Sequence, residues 1–449
     1  MERSYQVLVD HYRCPEEFLH LGVQGNLSEE AGFFRFGPES VCYGRCSGFV
    51  PSPSPEFILN DALEYVKSDR GEITLPFDVA ETVSALRCER YLNSRNEISG
   101  RGVFRKLTRA GYYAIRPAMP VSVRKHLQRY SLRGWTKKSF PHWPVDTGVE
   151  TITELLMSLN FRAQPEKEMP FIWFWPDGAQ ACAVMTHDVE TIAGRDFCDR
   201  LMDIDDSYGI KASFQVIPES RYAVGESYLR NIRERGFEVN VHDLNHDGRL
   251  FNDYEEFRLR ATLINKQGKA FGARGFRAAV LYRNVDWFGL LDFEYDMSIP
   301  NVGHLDPQHG GCCTTFPYFI GSILEIPVTM TQDYSLFNIL RNYSLSLWEK
   351  QMSLILEKHG VMSFNIHPDY ILKENEQRVY KNLLGHLSQL RGTAGVWIAL
   401  PGELNKWWRQ RNQMRLVRKN NNWEIVGKGK DRARIAFARL EGDKLTYSY

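Results

Sequence analysis

The chain has 449 residues, of which 43% are hydrophobic and 25% charged, and its formal net charge is +1. A chain of this length can hold one large domain with smaller ones, or two to three domains. The near-zero net charge gives no global basis for binding nucleic acid, and no run of about 18 uncharged apolar residues predicts a membrane span.

The N-terminal residues and the cysteines predict a cytoplasmic protein. The stretch MERSYQVLVDHYRCPEEFLH has only a short apolar run, which acids interrupt, so it is not typical of a signal peptide. The 8 cysteines are scattered without a CxxC pair. Reduced thiols are therefore expected rather than a disulfide framework.

Residues 1–145 are predicted to form an N-terminal accessory α+β domain. LPFDVAETVSALRCERYL has an N-terminal cap followed by an amphipathic pattern, and YYAIRPAMPVSVRKHLQRYSL is typical of a helix that a proline starts. The Pro- and Trp-rich stretch KKSFPHWPVDTG indicates a boundary. The next stretch, VETITELLMSLNF, predicts a further helix because its apolar residues recur near helical spacing.

From residue 181 the pattern changes to short apolar runs separated by longer helical stretches. The predicted strands are ACAVMT, KASFQVI, FEVNVH, ARGFRAA, FEYDMSI, ILEIPVT, GVMSFNIH and GVWIAL. Such runs are typical of a parallel sheet buried on both faces. The predicted fold class is therefore α/β, with residues 146–412 forming a distorted β/α barrel. NWEIVGKG, RARIAFARL and KLTYSY predict a small C-terminal β appendage over residues 413–449.

Polar residues lie at the carboxyl ends of several predicted strands. They are Asp188, His242, Arg277, Asp296 and His367. The carboxyl ends of barrel strands form the active-site rim in barrel enzymes. We therefore expect these five side chains to converge.

Two motifs in this set point to a metal. In VMTHDVE, Asp188 and Glu190 follow a strand, so one carboxylate can ligate a metal while the other acts as a base; alternatively, Asp188 is a helix cap. In FEVNVHDLNHDG, His242 and His246 share a face if the chain turns helical after the strand. Two imidazoles and one carboxylate suit zinc and leave open positions on it. The alternative is a pair of ordinary polar residues at a strand end.

A second cluster occurs in HLDPQHGGCCTTF. His304, His309, Cys312 and Cys313 are donors of the types that bind metals. A Gly-rich loop that packs small side chains is the favoured interpretation of this stretch.

The motifs THDVE, EVNVHDLNH, GFRAA, YDMSIPN and SFNIHPDYI, in this order, resemble those of the polysaccharide deacetylase superfamily, the chitooligosaccharide deacetylase homology domain. The resemblance covers about residues 171–408. It implies a divalent metal, with zinc favoured over cobalt, nickel, iron or manganese. It also implies that Glu190, His242 and His246 ligate this metal, that Asp188 is the general base and that His367 is the general acid.

Departures from the family's pattern leave part of this assignment open. The second carboxylate of the first motif usually follows the first directly, and Val189 stands there, so either Asp188 or Glu190 can be the metal ligand. The resemblance implies that Arg277 keeps the base charged and that Asp296 is an acidic residue in the surrounding shell. Ala278 and Ala279 replace a usual proline, which makes the backbone N–H near Val280 the candidate oxyanion donor.

Two further features concern binding. Trp287 and Trp397 are candidate platforms for stacking a sugar ring, and the alternative is that Trp397 belongs to the barrel core. Basic residues dominate the stretch 406–434. A solvated face is the simpler interpretation, and peripheral contact with an anionic glycan, lipid headgroup or partner is the alternative.

The resemblance implies an N-deacetylase acting on an N-acetylated sugar in a glycan or glycoconjugate intermediate of envelope or exopolysaccharide synthesis. One alternative is a C–N hydrolase of cyclic amides on the same scaffold. Another is a catalytically inactive glycan-binding or assembly protein. The residues at Val189, Glu190 and Ala278 keep this alternative open, whereas the retention of His242, His246, Arg277 and His367 argues against it. No nucleic-acid partner is expected, and the sequence does not indicate an oligomeric state.

Overall fold

A computed structural model of the chain describes residues 5–92, 121–164, 168–420 and 422–449, with only the backbone of residues 121–125. The first part contains the helices Gln6–Tyr12 and Val79–Arg87 and five short strands: β1 (Leu21–Val23), β2 (Gly32–Arg35), β3 (Val41–Gly44), β4 (Lys67–Asp69) and β5 (Glu72–Leu75). The predicted cap is present, because the Asp78 side chain accepts a hydrogen bond from the Glu81 backbone N–H at 3.0 Å.

Two helices connect this part to the barrel. The helix Val121–Ser131 lies within the predicted proline-started helix, whose residues 112–120 fall outside the described residues. The predicted helix after the boundary spans Gly148–Ala163, and it buries Ile152, Leu156 and Phe161. The strand β6 (Met169–Ile172) follows it.

All eight strands predicted from residue 181 onward are present and run parallel, which confirms the distorted barrel. They are β7 (Ala181–Val189), β8 (Ala212–Val216), β9 (Glu238–His242), β10 (Gly275–Arg277), β11 (Tyr295–Asp296), β13 (Ile323–Glu325), β14 (Val361–Ile366) and β15 (Val396–Ala399). A further strand, β12 (Tyr318–Ile320), pairs antiparallel with β13 at the edge.

The strand order shows how the barrel is distorted. The hydrogen-bonded order is β12-β13-β11-β10-β9-β8-β7-β14, and β15 also pairs with β7. One edge of β7 is shared, since β15 pairs with its first half and β8 with its second. The segment after β13 approaches β14, at the far end of the order, where the Met330 N–H donates to the Ser363 carbonyl at 3.2 Å.

Helices cover the outside of this barrel, as βα units require. They are Ile192–Ser207, Glu226–Glu234, Tyr254–Phe271, Ser346–Glu357 and Glu374–Thr393. The helix Tyr254–Phe271 begins where Asp253 accepts from the Glu256 N–H at 3.0 Å, and it ends at Gly272. After β10, however, short 3-10 turns at Ala279–Leu281 and Val285–Leu290 replace a long helix.

The C-terminal residues contain one strand more than predicted. After the helix Pro401–Gln413 come β16 (Arg415–Lys419), β17 (Asn422–Val426), β18 (Ile435–Glu441) and β19 (Lys444–Ser448). β18 pairs with β6. One hydrophobic cluster contains Phe34, Val184 and Ala436, so the three predicted parts of the chain share a core.

The basic stretch 406–434 does not form one solvated face. Arg411 is fully buried and donates to the backbone carbonyls of His11, Ile172 and Trp173. Residues with exposed basic side chains include Arg415, Arg418, Lys419, Lys428 and Lys430. Peripheral contact through this segment remains a prediction. No helix of the described residues has the length and apolar character needed to cross a membrane.

Candidate metal centre and catalytic site

Three predicted ligands meet at the carboxyl end of the barrel. Glu190, His242 and His246 each offer one ligand atom, and these atoms all lie within 4.8 Å of one another. Glu190 follows the end of β7, and His242 is the last residue of β9. Among the described residues, these three form the one group of His, Cys, Asp or Glu side chains placed closely enough to share a metal ion.

A left-handed loop, not the predicted helical turn, brings the two histidines together. Asp243 and His246 both have a φ of 57°, which turns the chain sharply after β9. Arg221 fixes this loop, since its guanidinium donates to the carbonyls of Asn245 at 3.3 Å and His246 at 2.6 Å. The two imidazole rings lie 4.8 Å apart as a result.

The state of the histidine rings fits a divalent metal. His242 Nδ1 bonds to the Arg277 carbonyl at 3.1 Å, so its Nε2 carries the free lone pair that a ligand needs. Burial lowers the pKa of His242 to about 4, which keeps this ring neutral at pH 7. The Nε2 atom of His242 is buried and has no hydrogen-bond partner among the described residues, whereas Nε2 of His246 lies 3.0 Å from Glu190 Oε1.

Asp188 lies beside this cluster but has different partners. Its Oδ1 accepts from Arg277 Nη1 at 2.8 Å, and its Oδ2 accepts from Asn365 Nδ2 at 2.9 Å. Oδ2 is also 3.7 Å from His242 Nε2. Burial raises the pKa of Asp188, but the Arg277 charge, together with His242 and His367, outweighs burial and brings the pKa to about 2.

The side chain of Glu190 contacts His246 and Tyr370. Its Oε1 is 3.0 Å from His246 Nε2, and its Oε2 accepts from the Tyr370 hydroxyl at 3.2 Å. Burial raises the pKa of Glu190, but His246 and then His367 outweigh burial and hold that pKa well below its usual range. The geometry therefore groups Glu190, rather than Asp188, with the two histidines.

His367 faces both carboxylates across the site. Its Nε2 is 3.8 Å from Asp188 Oδ2 and 3.8 Å from Glu190 Oε1, while its Nδ1 bonds to Asp333 Oδ1 at 2.6 Å. Burial lowers the pKa of His367, but the Asp333 carboxylate outweighs burial and raises the pKa to about 10. This raised pKa favours the protonated ring at pH 7.

Asp296 does not belong to the donor cluster and is connected through Ser298 to the backbone next to Arg277. Its carboxylate accepts from the Ser298 hydroxyl at 3.0 Å, and this hydroxyl accepts from the Ala278 N–H at 2.8 Å. Burial raises the pKa of Asp296. The pKa of Glu325 is raised well above its usual range, mainly by burial and also by the negative charge of Asp296. Asp296 therefore anchors the backbone at Ala278 through Ser298, and Glu325 accepts from the Ile299 N–H at 2.9 Å.

Val280 occupies a turn directly after Arg277. Its φ is 60°, in the left-handed region that β-branched residues rarely adopt. Such backbone conformations concentrate at functional sites. The assignment of its N–H as an oxyanion donor stays a prediction.

The two candidate sugar platforms differ in their surroundings, and the stacking role of Trp287 stays a prediction. The ring contacts of Trp287 are with Phe251, Tyr254 and Phe257. Trp397 pairs in register with Cys182, which lies six residues before Asp188 on β7 and hence about 20 Å away. Trp397 therefore lies at the amino end of the barrel, where it packs near Trp175.

The cysteine-rich loop fits the Gly-rich interpretation. Cys312 and Cys313 are buried free thiols. Gly311 has a φ of 146°, and a Cβ atom there would collide with the Asn301 carbonyl. Close backbone packing thus accounts for the small residues in this loop.

Three residues of the site were missed by the sequence argument. Asn365 and Tyr370 lie within the quoted motif SFNIHPDYI, and strand alternation places Asn365 on the same side as His367. Asp333 lies eight residues after the end of β13, so the rule that identified Asp188, a carboxylate at a strand end, does not reach it.

The sequence matches no protein-family model and no curated protein. Solved structures similar to this chain include a polysaccharide deacetylase from Mycobacterium smegmatis, with 18% identity, a TM-score of 0.40, and coverage of 53% of this chain and 93% of the other. Another from Pseudomonas aeruginosa PAO1 has 12% identity, a TM-score of 0.41, and coverage of 52% and 93%. An allantoinase has 11% identity, a TM-score of 0.40, and coverage of 52% and 92%.

Proposed function

We propose that this protein is a metal-dependent hydrolase that removes N-acetyl groups from an amino-sugar-containing glycan or glycoconjugate intermediate. The observation that carries the proposal is one buried cluster of donors, Glu190, His242 and His246, flanked by two ion pairs. The pair of Asp188 with Arg277 supplies a carboxylate held in its charged form. The pair of His367 with Asp333 supplies a proton donor on the other side.

Glu190, His242 and His246 would hold the metal. Two imidazoles and one carboxylate are a donor set that zinc takes in catalytic sites, and cobalt, nickel, iron and manganese are alternatives. A divalent ion held there would lower the pKa of a bound water and polarise the acyl carbonyl.

Asp188 accepts the proton of the attacking water in this proposal. Arg277 keeps the carboxylate ionised and fixes one oxygen, while Asn365 orients the other. A carboxylate with a pKa near 2 is a weak base, so the water that it deprotonates has to be strongly acidified. This requirement is consistent with a metal-dependent reaction rather than with carboxylate catalysis alone.

His367 donates a proton to the departing amine nitrogen. Asp333 bonds Nδ1, so Nε2 is the ring atom that faces Asp188 and Glu190. The developing oxyanion requires a donor as well, and the backbone N–H at Val280 is the proposed one, a contribution typically worth about 3–4 kcal/mol.

Replacing Asp333 by asparagine is expected to lower the pKa of His367 and with it the upper pH limit of activity. Catalysis needs the protonated ring, which wild-type protein retains up to about pH 10 in the metal-free state. Without the Asp333 charge the alkaline limb of kcat against pH should move down by about 1–3 pH units. The variant His367→Gln, measured in parallel, should lack this limb. An alkaline limb at the same pH in Asp333→Asn and wild type would contradict the role of Asp333.

The proposed function is tested by acetate release from zinc-loaded protein. The substrates are N-acetylhexosamine glycosides and nucleotide-linked N-acetylhexosamines, with a cyclic amide as a separate arm. Acetate release that requires both the metal and Asp188 supports the proposal. Hydrolysis of the cyclic amide alone would favour the alternative C–N hydrolase. Absence of any bindable divalent ion, or inactivity with retained glycan binding, would refute the proposal.

A further inference from the structure

The turn after β10 is under backbone strain next to the catalytic residues. Val280 and Leu281 have φ values of 60° and 53°, and they lie three and four residues after Arg277. Such a backbone conformation is unfavourable for a residue with a side chain and persists only where surrounding contacts enforce it. The contacts that enforce this turn therefore control its geometry.

Arg283 provides those contacts. Its Nη1 donates to the Leu281 carbonyl at 2.8 Å, and its backbone exchanges two hydrogen bonds with the Gln308 side chain, both of 3.1 Å. The side chain of Arg283 is fully buried. A buried guanidinium requires a counter-charge.

The counter-charge is Glu89, which comes from the N-terminal part of the chain. Arg283 Nε donates to Glu89 Oε2 at 2.6 Å, and Arg283 Nη2 donates to Glu89 Oε1 at 2.5 Å. Oε1 also accepts from the Gly311 N–H at 2.6 Å. Glu89 lies just beyond the helix Val79–Arg87, so this helix aims a carboxylate into the barrel loops.

Stability alone does not account for this pair. A buried ion pair is often no more stabilising than apolar side chains of the same volume, whereas its bidentate geometry fixes orientation. Here the fork of Arg283 is clamped on one side by Glu89 and on the other by the Leu281 carbonyl. The pair thus acts on the strained turn directly.

A second set of contacts leads from the same pair to Asp188. Asn365, which binds Asp188 Oδ2, also donates to Gln332 Oε1 at 3.2 Å. Gln332 Nε2 donates in turn to Asp306 Oδ1 at 2.8 Å, and the charge of Arg283 acts on Asp306. The pair is therefore linked to Asp188 indirectly, through Asp306, Gln332 and Asn365.

We infer that Glu89, acting through Arg283, is a positioning residue for the reaction, and that the N-terminal part of the chain completes the active site. This inference rests on the proposed function. Glu89 holds the Val280 turn in the conformation in which its N–H can meet the developing oxyanion. The predicted accessory domain is then a part of the catalytic unit.

The test is the variant Glu89→Gln, with Glu150→Gln as the matched control. Glu150 is also a buried carboxylate, but it bonds to Thr314 and Thr315 rather than to the turn. Loss of a contact made mainly in the transition state lowers kcat and leaves KM unchanged. We expect Glu89→Gln to lower kcat by about 10-fold or more, with unchanged KM and metal content, and Glu150→Gln to keep kcat within about twofold. An unchanged kcat in Glu89→Gln, or an equal fall in both variants, would overturn the inference.

Hydrogen exchange at residues 279–283 separates this inference from the proposed function. These amides should exchange faster in Glu89→Gln than in wild type or Glu150→Gln. Unchanged exchange would overturn the positioning role whatever the activity. Inactivity of the wild type on every N-acetylated probe would refute the proposed function instead, and the exchange rates would still decide whether Glu89 holds the turn. If Glu89→Gln does not fold, Glu89→Asp, which keeps the charge but shortens the side chain, is measured in the same way.

Discussion

Replacing Asp188 by asparagine is expected to lower kcat for acetate release by about 10²–10⁴-fold, the usual contribution of a general base. The amide cannot accept the proton of the attacking water, although it has nearly the same shape as the carboxylate. Bound metal should remain at the wild-type stoichiometry, because the donor cluster consists of Glu190, His242 and His246. The measurements are single-turnover kinetics and elemental analysis of the same preparation.

The control for this variant is Asp205→Asn. Asp205 is another buried aspartate, and it bonds to His187 at 3.1 Å on the outer side of β7. This substitution should destabilise the fold without lowering kcat. If Asp188→Asn loses its metal together with its activity, then Asp188 is a ligand, and the assignment of the two carboxylates has to be reversed.

Replacing His242 by alanine is expected to remove both metal binding and activity. The Nε2 atom of His242 has no hydrogen-bond partner among the described residues, and a metal is the partner that we propose for it. A ligand at 100 times its Kd stabilises a folded protein by about 2.7 kcal/mol. Wild-type protein should therefore show a zinc-dependent rise in Tm, and His242→Ala should show none.

His187→Gln is the matched control for this second variant. His187 is also a buried histidine at the end of β7, but its ring bonds to the Ile366 carbonyl at 3.2 Å and to Asp205. It should retain the zinc-dependent rise in Tm. The same rise in His242→Ala as in wild type would exclude His242 as a ligand.

Much of the barrel could be predicted because its signals are local. Each parallel strand is a short apolar run, and this pattern follows from burial on both faces of the sheet. The positions of Asp188, His242 and Arg277 at strand ends follow in the same way, since the strand end is visible in the sequence. Even the two-residue strand Tyr295–Asp296 was marked by the apolar residues around it.

Features that depend on distant contacts could not be predicted. The left-handed loop at His246 is fixed by Arg221, and the charge of His367 by Asp333. The turn at Val280 is fixed by Glu89, which lies 194 residues before Arg283. The local pattern of polarity and spacing cannot predict such pairs, because neither partner differs from other polar residues of its own segment.

The two carboxylates of VMTHDVE separate what the sequence determines from what the tertiary structure decides. The amino-acid sequence determines that Asp188 and Glu190 face the same side, because side chains alternate along a strand and the two are separated by one residue. That alternation cannot assign their roles, since it treats both positions alike. Their neighbours distinguish them: Arg277 lies 2.8 Å from Asp188, and His246 lies 3.0 Å from Glu190. Those neighbours come from other strands and loops, so the surroundings of the two carboxylates, on which the proposed roles of base and ligand rest, differ only once the barrel has closed around them.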